Sequence, residues 1–154
     1  MGNTNYGEME KAIRETLHQK TYLMGNLANA SAIIHKYMDD INWVGFYLLN
    51  KDELLLGPFQ GDVAKTRIPL FRSLAGKAMK YCETQVDNDS AMCPCEEQCP
   101  DLTKSELAIP IFYNREPVGV LCVDSTSKDR FAAEDVKALE KIAYLIQKVW
   151  RHMY

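Results

Sequence analysis

The 154-residue sequence is short of several things, and each shortage closes a class of explanation. It has no basic excess: 18 Lys and Arg stand against 21 Asp and Glu, a formal charge of −3, whereas a general nucleic-acid binder carries a surplus of cations. It has no long apolar run, since stretches such as Val44 to Leu49 are far too short to cross a bilayer. The opening MGNTNYGEMEK has no apolar signal segment, and Tyr6 stands where a myristoylation site wants Ser or Thr. The expected address is therefore cytoplasmic, with neither membrane nor nucleic acid as partner. The histidines, His18, His35 and His152, fall on predicted helices without ligand spacing. GPFQG has paired glycines, Gly57 and Gly61, but no GK[ST] follows, so it is no phosphate loop. No repeat, linker or low-complexity tract is present. With 47% hydrophobic residues the chain can offset its entropy and fold as a single domain over 1–154.

What is there is patterned. Met9, Ile13 and Leu17 recur at four-residue spacing, and Leu27, Ala30, Ile34, Tyr37 and Met38 make a second stripe. Helices are predicted within about 7–39, with Gly25 and Asn26 as the break between them. Asn42 to Leu49 reads as a buried strand, and Glu53 to Leu56 as its return after the turn Asn50–Asp52. GPFQGDVAKTRIP reads as loop followed by a short strand, and Ser73 to Tyr81 as a helix. From Asp87 to Lys104 the chain is polar, holds two prolines and shows no period, as a long functional loop does. Ser105 to Phe112 and Val118 to Asp124 read as strands paired about YNREP. Val136, Leu139, Ile142, Ala143, Ile146, Val149 and Trp150 mark a C-terminal helix over about 131–151. The order predicts an α+β fold, with helices packed on an antiparallel sheet and the sheet and cysteine loop over about 42–124.

Chemistry is concentrated in two places. In the last hairpin, Val118, Val120, Cys122 and Asp124 share one strand face, as do Glu106, Ala108, Pro110 and Phe112 in the partner. If Phe112 lies opposite Val118, Glu106 lies opposite Asp124. Facing carboxylates repel, so they are either solvated at the strand ends or hold a cation, an ammonium group or a metal, between them. Cys122 sits one step further in on that face. The second place is MCPCEEQC, where Cys93, Cys95 and Cys99 fall within seven residues. In a reducing compartment such a cluster is redox-active or metal-binding rather than a structural staple. Either Cys93 or Cys95 can reach disulfide distance of Cys99 on a flexible loop, which suits an oxidised cysteine and its resolving partner. Alternatively, Cys93, Cys95, Cys99 and Cys122 supply four thiolates for zinc or an iron–sulfur cluster, though C-x-C-x3-C is not the usual paired spacing. Trp43 and Tyr47 share a strand face; such rings serve as core or wall a small pocket against an apolar or sulfur-bearing group.

The series NLANASAIIH, INWVGFYLL, LLLGPFQG, SELAIPI, VGVLCVDS and DRFAAEDV, from about Leu27 to Ile142, resembles the free methionine-(R)-sulfoxide reductases, which are built on a single GAF domain. The resemblance implies a six-stranded antiparallel sheet with helices on its faces. It implies reduction of free methionine sulfoxide with electrons from thioredoxin and without a cofactor. The catalytic cysteine falls on Cys99, seven residues before the Glu of the SE pair. Substrate-binding carboxylates fall on Glu106 and Asp124, and pocket aromatics on Trp43 and Tyr47. The chain departs from the pattern where Lys65 and Ala75 replace cysteines and Cys122 replaces the first Asp of LDxDS. Two readings follow. In one, Cys99 is oxidised by substrate and Cys93, Cys95 or Cys122 resolves it. In the other, the four cysteines form a metal or redox site in a sensor without reductase activity. The terminal helices offer surface for a homodimer.

Overall fold

The computed structural model describes residues 4–18, 22–90 and 102–150. It opens with two helices, α1 (Tyr6–Thr16) and α2 (Leu23–Tyr37). The Asn5 side chain accepts from Glu8 N at 3.1 Å and caps α1. The break between the helices precedes Gly25 and Asn26, which both lie inside α2. Asn26 closes that break rather than making it: Nδ2 donates to His18 O at 2.8 Å, and Oδ1 accepts from His18 N at 3.3 Å. A side-chain amide that satisfies the backbone groups of His18 is compatible with a helical position.

The sheet holds β1 (Trp43–Asn50), β2 (Glu53–Gly61), β3 (Arg67–Pro69), β4 (Gln85–Asp87), β5 (Ser105–Tyr113) and β6 (Glu116–Ser125). Helix α3 (Leu74–Tyr81) lies between β3 and β4, after a 3-10 turn, and α4 (Ala133–Val149) follows β6. The strand order is β3-β2-β1-β6-β5-β4, antiparallel throughout. This is the α+β architecture with six strands expected above.

Three local readings are corrected. GPFQG is not a loop; β2 runs through it to Gly61. It does so on a bulge, because Gly45 pairs with Phe59 and Tyr47 with Leu56, which leaves Phe46 facing both Gly57 and Pro58. β3 pairs only with Glu53–Leu55, so this outer half of β2 is an edge, where the N–H that proline lacks is not needed. Asp87 belongs to a strand, not to a loop; three residues are too few to show a period. In the last hairpin Glu106 does pair with Asp124, but Phe112 pairs with Pro117 rather than Val118. A register shift after Ile111 separates the two.

The sheet has two unlike faces. Val44, Phe46, Leu107, Ile109, Ile111, Leu121 and Val123 point to a large aliphatic core shared with α1, α2 and α4. Trp43, Tyr47, Leu54, Ala108, Val120 and Cys122 point the other way, to a smaller cluster under Leu74, Ala75, Ala78 and Met79 of α3. No helix among the described residues is long and apolar enough to cross a membrane.

Candidate functional site

The smaller face is laid out in rows, since residues directly opposite across antiparallel strands share a side. One row runs Asp87, Glu106, Asp124, Trp43, Gly61 across β4, β5, β6, β1 and β2. The next runs Gln85, Ala108, Cys122, Gly45, Phe59. Tyr47, paired with Val120, stands in the third. Glu106, Asp124, Trp43, Tyr47 and Cys122 are thus brought onto one patch. Cys93, Cys95 and Cys99 lie outside the described residues.

The aromatic half of the patch is a stack. Trp43 lies against Tyr47 with centroids 5.8 Å apart and against Phe59 at 5.3 Å, and its Nε1 donates to Asp62 O at 3.1 Å. Two glycines make this possible. A Cβ on Gly45 would stand 2.3 Å from Phe59 Cβ and 2.7 Å from Trp43 Cη2. Gly61 has φ +129°, and a Cβ there would meet Asn42 O at 2.5 Å. The Trp43 ring is therefore held on both flanks, with its indole N–H satisfied.

The acidic half is unusual in being dry. Glu106 is 0% exposed and Asp124 2%. Solvation at the strand ends, one of the two explanations offered by the sequence, therefore does not apply. Both carboxyl oxygens of Glu106 and Oδ1 of Asp124 are buried without a hydrogen-bond partner among the described residues. An ionised carboxylate in that condition costs several kcal/mol or more, so the acids respond by holding protons. Burial, with the Asp87 carboxylate adding to it, pushes Glu106 up to about 7. Burial and the neighbouring Glu106 raise Asp124 well above the ordinary range. Burial also raises the Tyr47 phenol, and Cys122 and Asp124 add to that. Burial thus favours the protonated acids, and a cation placed between them would favour the ionised form. Among the described residues no three His, Cys, Asp or Glu converge as a metal site needs. An ammonium group, a single charge with three N–H donors, matches the unused acceptors.

Backbone bonds fix the rim. Ser90 N donates to Lys104 O at 2.8 Å, Lys104 N to Ser125 O at 2.8 Å, and Asn42 N to Asp124 O at 2.9 Å. Ser90 and Lys104 are thus held together two residues from Glu106. Ala75 is buried in the same cluster, Lys65 is exposed, and Cys82 is an exposed C-cap of α3. A groove of about 630 Å³ lined by Ile13, Leu17, Leu145 and Val149 lies on the opposite side of the sheet and holds none of these groups.

The sequence reading missed three contributors. Gly45 had a signal: a glycine inside an apolar strand marks a close approach. Phe59 was hidden by reading GPFQG as a loop. Asp87 had no local signal, because only pairing with β5 places it.

Comparison with known proteins gives consistent results. The GAF domain family matches residues 27–150. A free methionine-R-sulfoxide reductase of Escherichia coli strain K12 is 35% identical over 144 residues, which is 94% of this chain and 87% of that protein. The structure of fRMsr of Staphylococcus aureus in its reduced form superposes with a TM-score of 0.90 at 38% identity, covering 95% of each chain. That of the free methionine-R-sulfoxide reductase of Neisseria meningitidis, in complex with its substrate, gives 0.83 at 33% identity, covering 94% of this chain and 84% of the other.

Proposed function

This chain belongs to the free methionine-(R)-sulfoxide reductases of the GAF domain family, and from that premise we propose that it reduces free methionine-(R)-sulfoxide to methionine through a cysteine sulfenic acid. One observation carries the reading: two buried carboxyl groups with unused acceptors stand beside a stacked tryptophan on the same sheet face.

Glu106 and Asp124 receive the substrate's α-ammonium group, which supplies the donors they lack and the charge that balances theirs. The Trp43 ring walls the methyl and sulfur end, where contact between sulfur and an aromatic ring is favourable. The Cys99 thiolate attacks the sulfoxide sulfur. With one proton taken up, methionine leaves and the oxygen stays on Cys99 as sulfenic acid. Cys93, Cys95 or Cys122 condenses with that sulfenic acid, forming a disulfide and releasing water. A thioredoxin dithiol then returns two electrons and restores both thiols. No cofactor enters this cycle. The backbone bond between Ser90 and Lys104 lies two residues from Glu106, and Cys99 falls between those two residues in the sequence, which supports the assignment. The substitution of the family's cysteines by Lys65 and Ala75 moves the resolving step to the cysteines that this chain has gained.

The test is NADPH consumption with free methionine-(R)-sulfoxide, thioredoxin and thioredoxin reductase. Steady turnover is expected, and Cys99→Ser should abolish it. Turnover that survives in Cys99→Ser assigns the nucleophile elsewhere. Cycling that survives in the Cys93→Ser/Cys95→Ser double variant assigns resolution to Cys122.

A further inference from the structure

The carboxylate row does not stop at the pair. We propose that Asp87 is a positioning residue for the cation site, the third carboxylate of a row across β4, β5 and β6, and that it acts on an incoming ammonium group through Glu106. This rests on the function proposed above and goes one residue beyond it.

The register places Asp87 directly opposite Glu106, on the same side of the sheet as Asp124 and Trp43. Its Oδ1 accepts from Asp89 N at 3.0 Å, which holds the carboxylate at the end of β4. Asp87 is partly exposed whereas Glu106 is fully buried, so the row grades from a solvated carboxylate to a buried acid. Among the described residues, Asp87 from β4 and Asp124 from β6 stand directly opposite Glu106, and Cys122 from β6 and Tyr47 from β1 lie further off on the same side of the sheet. Lys104, two positions earlier and just before β5, is exposed, and α3 presents Leu74, Ala75, Ala78 and Met79. Asp87 is the anion whose field reaches Glu106 from the open side.

The consequence is a proton exchange. In the empty site, repulsion from Asp87 helps to keep the proton on Glu106. When an ammonium group is seated, that proton leaves to solvent and the vacated oxygens accept from the ligand. One positive charge has replaced another, so the net charge of the row is unchanged by binding.

Asp87→Asn separates this role from a structural one, because the amide oxygen still accepts from Asp89 N while the charge is gone. The experiment is a carboxyl-carbon NMR titration of the ligand-free protein, alongside KM and kcat for methionine-(R)-sulfoxide against pH. In Asp87→Asn the Glu106 midpoint should fall by roughly half to one pH unit, and Asp87→Glu should restore it. The acid limb of 1/KM should move down with it, and KM should rise at high pH where only attraction is lost. kcat should stay within about twofold. An unchanged midpoint in Asp87→Asn overturns the proposal, as does a KM profile that does not follow it. If the wild type shows neither turnover nor a midpoint that responds to methionine sulfoxide, the function reading fails, and the positioning role falls with it. The ligand-free titration still decides whether Asp87 governs Glu106.

Discussion

The two faces of the sheet are made by the same strands and obey different rules. The face under α1, α2 and α4 is aliphatic, and its members are interchangeable in kind: Val, Ile, Leu, Phe. The face under α3 is smaller, and every position is particular: stacked rings, glycines that make room for them, a buried cysteine and carboxyl oxygens without a hydrogen-bond partner among the described residues. Alternation along each strand lets one segment serve both. In β6, Leu121 and Val123 hold the fold while Cys122 and Asp124 build the site. Stability is concentrated on one side and forgone on the other, where buried acids oppose folding until a cation or proton arrives.

Substitutions can break or sharpen this contrast. The largest effect belongs to the aliphatic face: Phe46→Ala should cost about 3–5 kcal/mol in denaturant unfolding. The kcat/KM of the protein that remains folded should be unaltered. A matching loss of turnover would show that the faces are not separable.

Next is Glu106→Gln. It should lower kcat/KM by roughly 100-fold through loss of the ammonium partner. It should also flatten a pH dependence of stability. In the fold Glu106 keeps its proton up to about pH 7, against an ordinary value of 4.5. Between those values the folded chain holds the extra proton. Stability of the ligand-free protein should therefore fall as pH rises through that window, by on the order of 3 kcal/mol from this group, and level off above it. Thermal melts at pH 5.5 and 8 should show the drop in wild type and a smaller one in Glu106→Gln. A drop that is equal in both proteins would mean that the site is not where folding is opposed.

Smaller again is Gly45→Ala, where a methyl would meet Phe59 and Trp43. About 1–3 kcal/mol of stability should be lost, with KM raised as the stack is displaced. Unchanged KM would remove the stack from the binding surface. Least is Lys65→Ala, exposed and outside both cores, which should alter stability by less than about 0.5 kcal/mol and leave turnover unchanged.

How far these differences can be read in advance varies with their physical origin. The helical stripes Met9–Ile13–Leu17 and Leu139–Ile142–Ile146 are legible because burial repeats with the helix period, and all six residues are core. The facing of Glu106 and Asp124 is legible because a short hairpin constrains register, even though the pair used to anchor it slips by one at Phe112. The continuation of β2 through Gly57 and Pro58 is not, because an edge tolerates residues that punctuate a central strand. Asp87 is not, because its placement depends on a partner strand 19 residues away.

The sequence by itself determined the α+β class, the apolar faces of the helices, the resemblance to a family and the residue types available for chemistry. These follow from local periodicity and from motifs contiguous in the chain. Tertiary structure alone decided that two acids 18 residues apart would be buried side by side, that Asp87 would extend their row, and that Gly45 and Gly61 would clear the space for Trp43. Burial and close approach are properties of what the rest of the chain places around a residue. The charge state of Glu106, on which the proposed binding turns, follows from that placement and not from its identity as a glutamate.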